Sequence, residues 1–246
     1  GLYAELVENR GFEEHVLPSS MTYVDGRAVA VDSPNYEHRV NRRWSIDWNM
    51  ERKKYQGWKM QAKSAVAKAT VVEAELPLHE NTPNAMRLDI TSVEKGGKVV
   101  LTNTGYWGMG LKSGAKYDLR FYVRSDNYKG GITARISDSK TGSTYGYVEF
   151  KKRKIKEWTE YTAVLNSTGT TGNGQLSLEF EAKGTVWVDY VSLFPQDTFK
   201  GRKNGLRPDL AEMLIGLHPK FMRWPGGCIV EGVTYENRVK WKETLG

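Results

Sequence analysis

Cysteine is almost absent from this chain. Cys228 stands alone among 246 residues, which excludes an internal disulfide and leaves the redox compartment open. No run of about 18 apolar residues occurs, so no membrane-spanning helix is expected. A signal-peptide pattern is also missing. The chain opens on Gly1, and export is expected to depend on a signal upstream of it. Clustered charge is scarce too. The net charge is +7, from 36 basic and 29 acidic residues, but the only tight run is Lys151-Lys-Arg-Lys154. A nucleic-acid or membrane patch needs a larger cluster on one face, so that run reads as a solvated strand end or loop. Neither nucleic acid nor membrane is therefore an expected partner.

What is present suffices for a core. Hydrophobic residues make up 39% and aromatics 11% of the chain, which excludes wholesale disorder. From Trp58 to Phe194 the texture is one of short alternating runs split by turns, with no repeat and no helical pattern. The runs are 85–90, 98–102, 117–124, 132–136, 145–150, 158–165, 175–180 and 186–193. Period-two alternation with turns every 8–15 residues predicts a mainly β fold, a β-sandwich or jelly roll.

The flanks differ. Leu2, Tyr3, Leu6 and Val7 recur at helical spacing and predict a helix over residues 2–9, closed by Gly11. Residues 18–57 read as an irregular lead-in with turn signals at Asp25-Gly26 and Ser33-Pro34. After Phe194-Pro195, a polar linker precedes a helix over about 207–217, with Pro208 in its tolerated first-turn position. A short buried strand over about 220–228 then breaks at Pro225-Gly226-Gly227. A strand ending in a glycine turn, with Arg223 just before it, is how α/β barrels present groups to a substrate. The organisation predicted is a barrel-derived helix at 1–10, a sandwich over 11–196 and the start of a barrel at 197–246.

Four separated motifs then carry a resemblance. They are Gly1-Leu-Tyr-Ala-Glu-Leu-Val-Glu-Asn-Arg-Gly-Phe-Glu13, Val188-Asp-Tyr-Val-Ser-Leu-Phe-Pro-Gln-Asp-Thr-Phe-Lys-Gly-Arg202 with Asn204-Gly-Leu-Arg-Pro-Asp-Leu210, Phe221-Met-Arg-Trp-Pro-Gly-Gly-Cys-Ile-Val-Glu-Gly232, and Asn237-Arg-Val-Lys-Trp-Lys-Glu-Thr-Leu-Gly246. In this order they resemble family-51 glycoside hydrolases, the α-L-arabinofuranosidases. The resemblance implies a galactose-binding-like sandwich, of the carbohydrate-binding-module type, inserted between incomplete (β/α) barrel segments. It implies a retaining enzyme that removes terminal arabinofuranose from arabinan or arabinoxylan and needs no cofactor. Its partners would be that plant polysaccharide and the remainder of the barrel, in a bacterial secreted or periplasmic setting. Such chemistry uses two carboxylates about 5 Å apart. In the family both are glutamates on later barrel strands, and residues 1–246 supply neither, so this stretch alone is expected to be inactive.

Single residues are read partly from this resemblance and partly from their own chemistry and spacing. Arg223, Gly227 and Cys228 fall on the turn that faces the sugar subsite, where many members carry Asn at the Cys228 position. A buried structural thiol and a structural Arg223 ion pair are the alternatives. Glu5 and Glu231 read as solvated acids. Glu13 and Asp189, from the two ends of the sandwich, would hold a structural calcium, the oxygen set that ion prefers, or form a plain polar pair. Tyr106, Trp107, Tyr145 and Tyr147, flanked by glycines, are candidates for stacking on sugar rings, with Trp107 alternatively covering the interface with the barrel. Trp58, Trp158 and Trp187 alternate like core residues.

Overall fold

The computed structural model describes residues 2–14, 21–24, 27–30 and 55–221. Residues 222–228 of the predicted strand, with Arg223, Gly227 and Cys228, lie outside them, as does Glu231. Within the irregular lead-in, β1 (Met21–Val24) and β2 (Arg27–Ala30) pair antiparallel.

The remaining strands are β3 (Trp58–Glu73), β4 (Asn84–Asn103), β5 (Met109–Leu111), β6 (Lys116–Arg124), β7 (Ile132–Asp138), β8 (Thr144–Phe150), β9 (Thr159–Asn166), β10 (Thr171–Phe180) and β11 (Gly184–Pro195). All pairings are antiparallel. β4 is the key to the architecture, because its two halves serve different partners. Residues 86–90 pair with β11, and 99–103 pair with β10. One leaf therefore runs β8-β7-β10-β4, the other β4-β11-β6-β9, and β3 follows β4 through both. The predicted mainly β sandwich is this two-leaved fold.

The alternating pattern delivers one face of each strand to the interior. Leu88, Leu101, Phe121, Ile136, Leu178, Phe180 and Val188 are fully buried there. Phe121 stacks on Tyr161 with centroids 5.0 Å apart and meets Phe150 edge-on at 5.5 Å, the arrangements that favour the ring quadrupole.

Runs 85–90 and 98–102, expected as separate strands, are one continuous strand. The polar, glycine-containing stretch between them is a corner, not a hairpin turn. The partner strand β3 bulges at the same place, where Ser64 takes φ 45°. A Cβ at Gly97 would lie 2.2 Å from the Ser64 carbonyl oxygen, so the bend demands glycine. β3 itself escaped the pattern search. It is a largely exposed edge strand rich in alanine and lysine, residues of low strand propensity that blunt an edge against aggregation.

The predicted helix over 2–9 does not form, and this segment is extended instead. Ala4 donates its N–H to Gly205 O (3.2 Å), Leu6 to Leu193 O (3.1 Å), and Arg207 donates back to Leu2 O (2.9 Å). An eight-residue run is too short to nucleate a helix unaided, and two neighbouring segments satisfy its donors while Ala4 and Val7 become buried. Glu5, expected in solvent, is drawn in with them. Its side chain is 6% exposed and accepts bonds from Ser192 Oγ (2.6 Å) and the Leu193 N–H (2.9 Å). Beyond the sandwich, α1 (Pro208–Gly216) occupies the predicted place. Only Ala211 of that helix is buried, and Met213, Leu214 and Ile215 are exposed.

Candidate functional site

The chain passes from β4 to β5 through a tight turn at 104–108. Its geometry is set by Asn103, which is fully buried and whose Oδ1 accepts the Gly105 N–H (2.9 Å). Gly105 and Gly108 both take positive φ, 63° and 99°. A Cβ on Gly105 would approach Leu6 O to 2.7 Å, and one on Gly108 would approach Gly172 O to 2.3 Å, so both positions require glycine. The turn pushes Tyr106 and Trp107 outward. Trp107 is 91% exposed, an unusual position for the largest apolar side chain. The two rings sit 6.2 Å apart, tilted by 41°.

These rings form one wall of a groove of about 780 Å³. Tyr3, Leu6, Pro195 and Pro208 supply further apolar surface, and Glu5, Lys112, Asp197 and Arg207 supply polar groups. Arg207 grips Asp209 with two bonds, Nε–Oδ1 at 3.1 Å and Nη2–Oδ2 at 2.6 Å, and this holds the Asp209 carboxyl below its ordinary range. Desolvation, followed by the charges of Glu14, Glu8 and Glu5, pushes the Tyr106 hydroxyl up. An apolar groove with a few convergent polar groups is what a small-molecule or glycan site requires.

A second cluster lies where the loop 9–13 crosses β11. Asn9, Phe12 and Tyr190 all take positive φ. In β11 the inward parity changes, from Val186 and Val188 to Val191 and Leu193. The register against β6 shifts between Asp189 and Ser192, marking a β-bulge that re-aims the side chains around it. Asp189 is thereby buried, and a Cβ at Gly11 would lie 3.9 Å from Asp189 Oδ1 and 4.0 Å from Glu13 Cγ. Glu13, which lies outside any strand, is clamped by Asn84. The Asn84 N–H donates to Oε1 at 2.7 Å and its Nδ2 donates to Oε2. Burial pushes the Asp189 carboxyl up to about 8, against the bond from the Tyr190 N–H (2.6 Å) and with help from the Glu13 charge. Burial also raises Glu13, opposed by the Asn84 bonds.

Two desolvated carboxyl groups close enough for the charge of one to raise the other fit a hard cation in charge and oxygen chemistry. Among the described residues, no group of three or more His, Cys, Asp or Glu side chains could hold a metal. Any ion there would complete its shell from backbone carbonyls.

Of the three tryptophans read as core, only Trp58 is buried, donating its Nε1–H to Asn9 O (2.9 Å). Trp187 lies half-buried between the guanidinium groups of Arg87 and Arg124, at 5.5 and 5.1 Å. Trp158 is half-buried and donates to Leu76 O (2.7 Å). Asn84 and Asn103 were missed altogether. The one signal for Asn103 was its position at the end of a strand before Thr-Gly.

Comparison with known proteins fits this architecture. Residues 213–246 match the family model described as the alpha-L-arabinofuranosidase 1 domain. Alpha-L-arabinofuranosidase 2 of Arabidopsis thaliana is 33% identical over 258 residues, covering 100% of this chain and 32% of that protein. Alpha-L-arabinofuranosidase 1 of the same plant is 36% identical over 174 residues, covering 68% of this chain and 25% of that protein. A solved structure of an arabinose-bound family-51 α-L-arabinofuranosidase superposes with a TM-score of 0.75 at 27% identity, over 100% of this chain and 35% of that one. The architecture is thus that of a β-sandwich with flanking segments, shared over the whole chain with that family-51 structure. The chain belongs to glycoside hydrolase family 51, and corresponds to an N-terminal part of its members. It spans about a third or less of the length of these relatives.

Proposed function

We propose that this chain is the N-terminal portion of an α-L-arabinofuranosidase, which hydrolyses terminal arabinofuranosyl residues of arabinan or arabinoxylan with retention of configuration. The observation that carries this reading is 33% identity with an Arabidopsis arabinofuranosidase over the whole chain, joined to superposition on an arabinose-bound family-51 enzyme. The reacting glutamate pair belongs to barrel strands not represented in residues 1–246, and the chain alone turns nothing over. The buried carboxylates described here support this. Glu5 is spent on Ser192 and Leu193, Glu13 on Asn84 and Asp189 on Tyr190.

In this reading the sandwich over 11–196 is an insert, and residues 1–10 and 197–246 belong to the barrel. The pairing of Tyr3 with Leu206 supports it, since it brings the two pieces flanking the insert together. The apolar residues exposed on α1 then pack against the rest of the barrel. Trp107 and Tyr106 stack on a sugar ring in the groove, while Arg223, Gly227 and Cys228, outside the described residues, line the subsite of the reacting sugar. Glu13 and Asp189 hold a structural calcium, which supplies charge neutralisation and no chemistry. The setting is secreted or periplasmic.

The test is hydrolysis of an aryl α-L-arabinofuranoside by the protein carrying the continuation of this chain, with product configuration read by NMR. Release of the β-anomer, or no release, overturns the proposal. Turnover by residues 1–246 alone overturns the division of labour.

A further inference from the structure

Two Asn-Gly pairs occur in the chain, Asn173-Gly174 and Asn204-Gly205, and the fold treats them oppositely. An asparagine amide is most open to attack by the next backbone nitrogen when that nitrogen belongs to glycine, which has no Cβ to shield it. Gly174 is buried inside β10, paired with Asp138 of β7 on one side and Met109 of β5 on the other. The Asn173 carbonyl accepts the Ser139 N–H (2.9 Å), and the Asn173 N–H donates to Thr171 Oγ1 (2.9 Å). That peptide cannot turn without opening the sheet.

Asn204 instead lies in the turn between the sandwich and α1, outside any ladder. Its side chain is exposed and makes no hydrogen bond among the described residues. Its φ is 51°, in the left-handed region that asparagine tolerates. The Gly205 N–H also finds no acceptor in hydrogen-bond geometry among the described residues. Arg202 and Lys203, both exposed, precede the pair, and their charge lowers the cost of an anionic backbone nitrogen beside them. The joint between the two flanking pieces starts at the next residue. Gly205 O accepts the Ala4 N–H (3.2 Å), the Arg207 N–H donates to Leu2 O (2.9 Å), and the Phe199 N–H donates to Leu206 O (2.8 Å).

We propose that Asn204 is a site of spontaneous deamidation, and that its conversion loosens the joint between residues 2–4 and 205–207. The Gly205 nitrogen gives its proton to hydroxide and attacks Asn204 Cγ. The N–Cγ bond forms, the Cγ–Nδ2 bond breaks, and Nδ2 leaves as ammonia with a proton from water, giving a cyclic imide. Water then opens the ring. Attack at Cγ restores the original main chain and leaves an aspartyl side chain. Attack at the main-chain carbonyl carbon routes the chain through Cγ and leaves an isoaspartyl residue. The net change converts amide and water to carboxylate and ammonium, with nothing oxidised or reduced. The isoaspartyl product adds a carbon to the main chain, about 1.5 Å of contour, directly before the carbonyl that holds Ala4. Tyr3 and Arg207 line the groove, so the change reaches its wall. The site is independent of the proposed catalysis.

The experiment ages the 246-residue chain in water enriched in heavy oxygen at mildly alkaline pH, both native and in urea, and locates the label by peptide mapping with mass spectrometry. In the native chain, label is expected at residue 204 at least tenfold faster than at residue 173. In urea the sheet no longer holds Gly174, and the two rates converge. No label at residue 204, or native rates that are equal or faster at residue 173, overturn the proposal. A tenfold gap that persists in urea also overturns it, because the difference then comes from local sequence and not from the fold. Amide exchange of Ala4 and Arg207 reads the joint. It is followed in the aged parent and in equally aged Asn204→Gln, whose longer side chain closes the ring far more slowly, each against its own unaged sample. Exchange at least tenfold faster in the aged parent alone is expected. An equal change in the two overturns the loosening of the joint.

Discussion

The Asn103 side chain pairs with the Glu8 backbone in both directions. Its Oδ1 accepts the Glu8 N–H at 3.2 Å, and its Nδ2 donates to Glu8 O at 2.9 Å, joining residues 95 positions apart. A side-chain amide thus continues the ladder where no strand is available, while also holding the turn that presents Trp107.

Asn103→Ala leaves two buried N–H groups and a carbonyl without partners. An unsatisfied buried group costs about 1–3 kcal/mol, and some relaxation is available, so a total loss of about 2–4 kcal/mol is expected by urea denaturation. The same variant loosens the 104–108 turn, read as faster exchange of the Gly105 amide.

Asp189 sets a pH dependence of opposite sign to that of an ordinary paired carboxylate. In the unfolded chain it titrates near about 3.9, but in the folded chain it is pushed up to about 8. Below about pH 4 both states are protonated and its contribution is fully present. As pH rises toward 8 the unfolded chain releases the proton and the folded one keeps it, so stability falls across this window. In a chelator, Tm of the parent chain is expected to decline from pH 4 to 8, and the decline is flatter in Asp189→Asn.

Calcium reverses that trend if the two carboxylates hold it. A ligand at 100 times its Kd stabilises by about 2.7 kcal/mol, so millimolar calcium raises Tm by several degrees at pH 8 and much less at pH 4. Asp189→Asn and Glu13→Gln abolish the increment. A Tm indifferent to calcium at pH 8 leaves the carboxylates as a polar pair.

Trp107 separates function from stability. At 91% exposed, its replacement by Ala changes unfolding free energy by less than about 0.5 kcal/mol. Tryptophan-fluorescence quenching by arabino-oligosaccharides is expected to weaken at least tenfold if the groove binds sugar. Phe121→Ala is the converse, a core truncation expected to cost about 3–5 kcal/mol without touching the groove.

The eight alternating runs were legible because burial on one face imprints period two on a strand, and they fall on seven strands of the fold, two of them sharing Asn84–Asn103. What escaped had the opposite physics. β3 has little buried face to imprint, the corner at Gly97 imitates a turn, and residues 2–9 have apolar spacing compatible with a helix until neighbouring backbone satisfies them otherwise. Glu13 and Asp189 could be named from motif resemblance, but their desolvation depends on the bulge at Tyr190, which no local pattern announces. Asn84 and Asn103 were invisible because an asparagine that bonds distant backbone looks in sequence like any loop asparagine. The ion pairs of Glu179 with Lys98 (2.7 Å) and Arg135 (2.9 Å) join three different strands, so they too escaped any local pattern.

The strand shared by both leaves has a mechanical corollary. With Asn84–Asn103 woven into each, neither leaf can peel away or melt alone without tearing the ladder of the other. The lobe should open as one unit, and tension applied across it would be borne along a single continuous backbone.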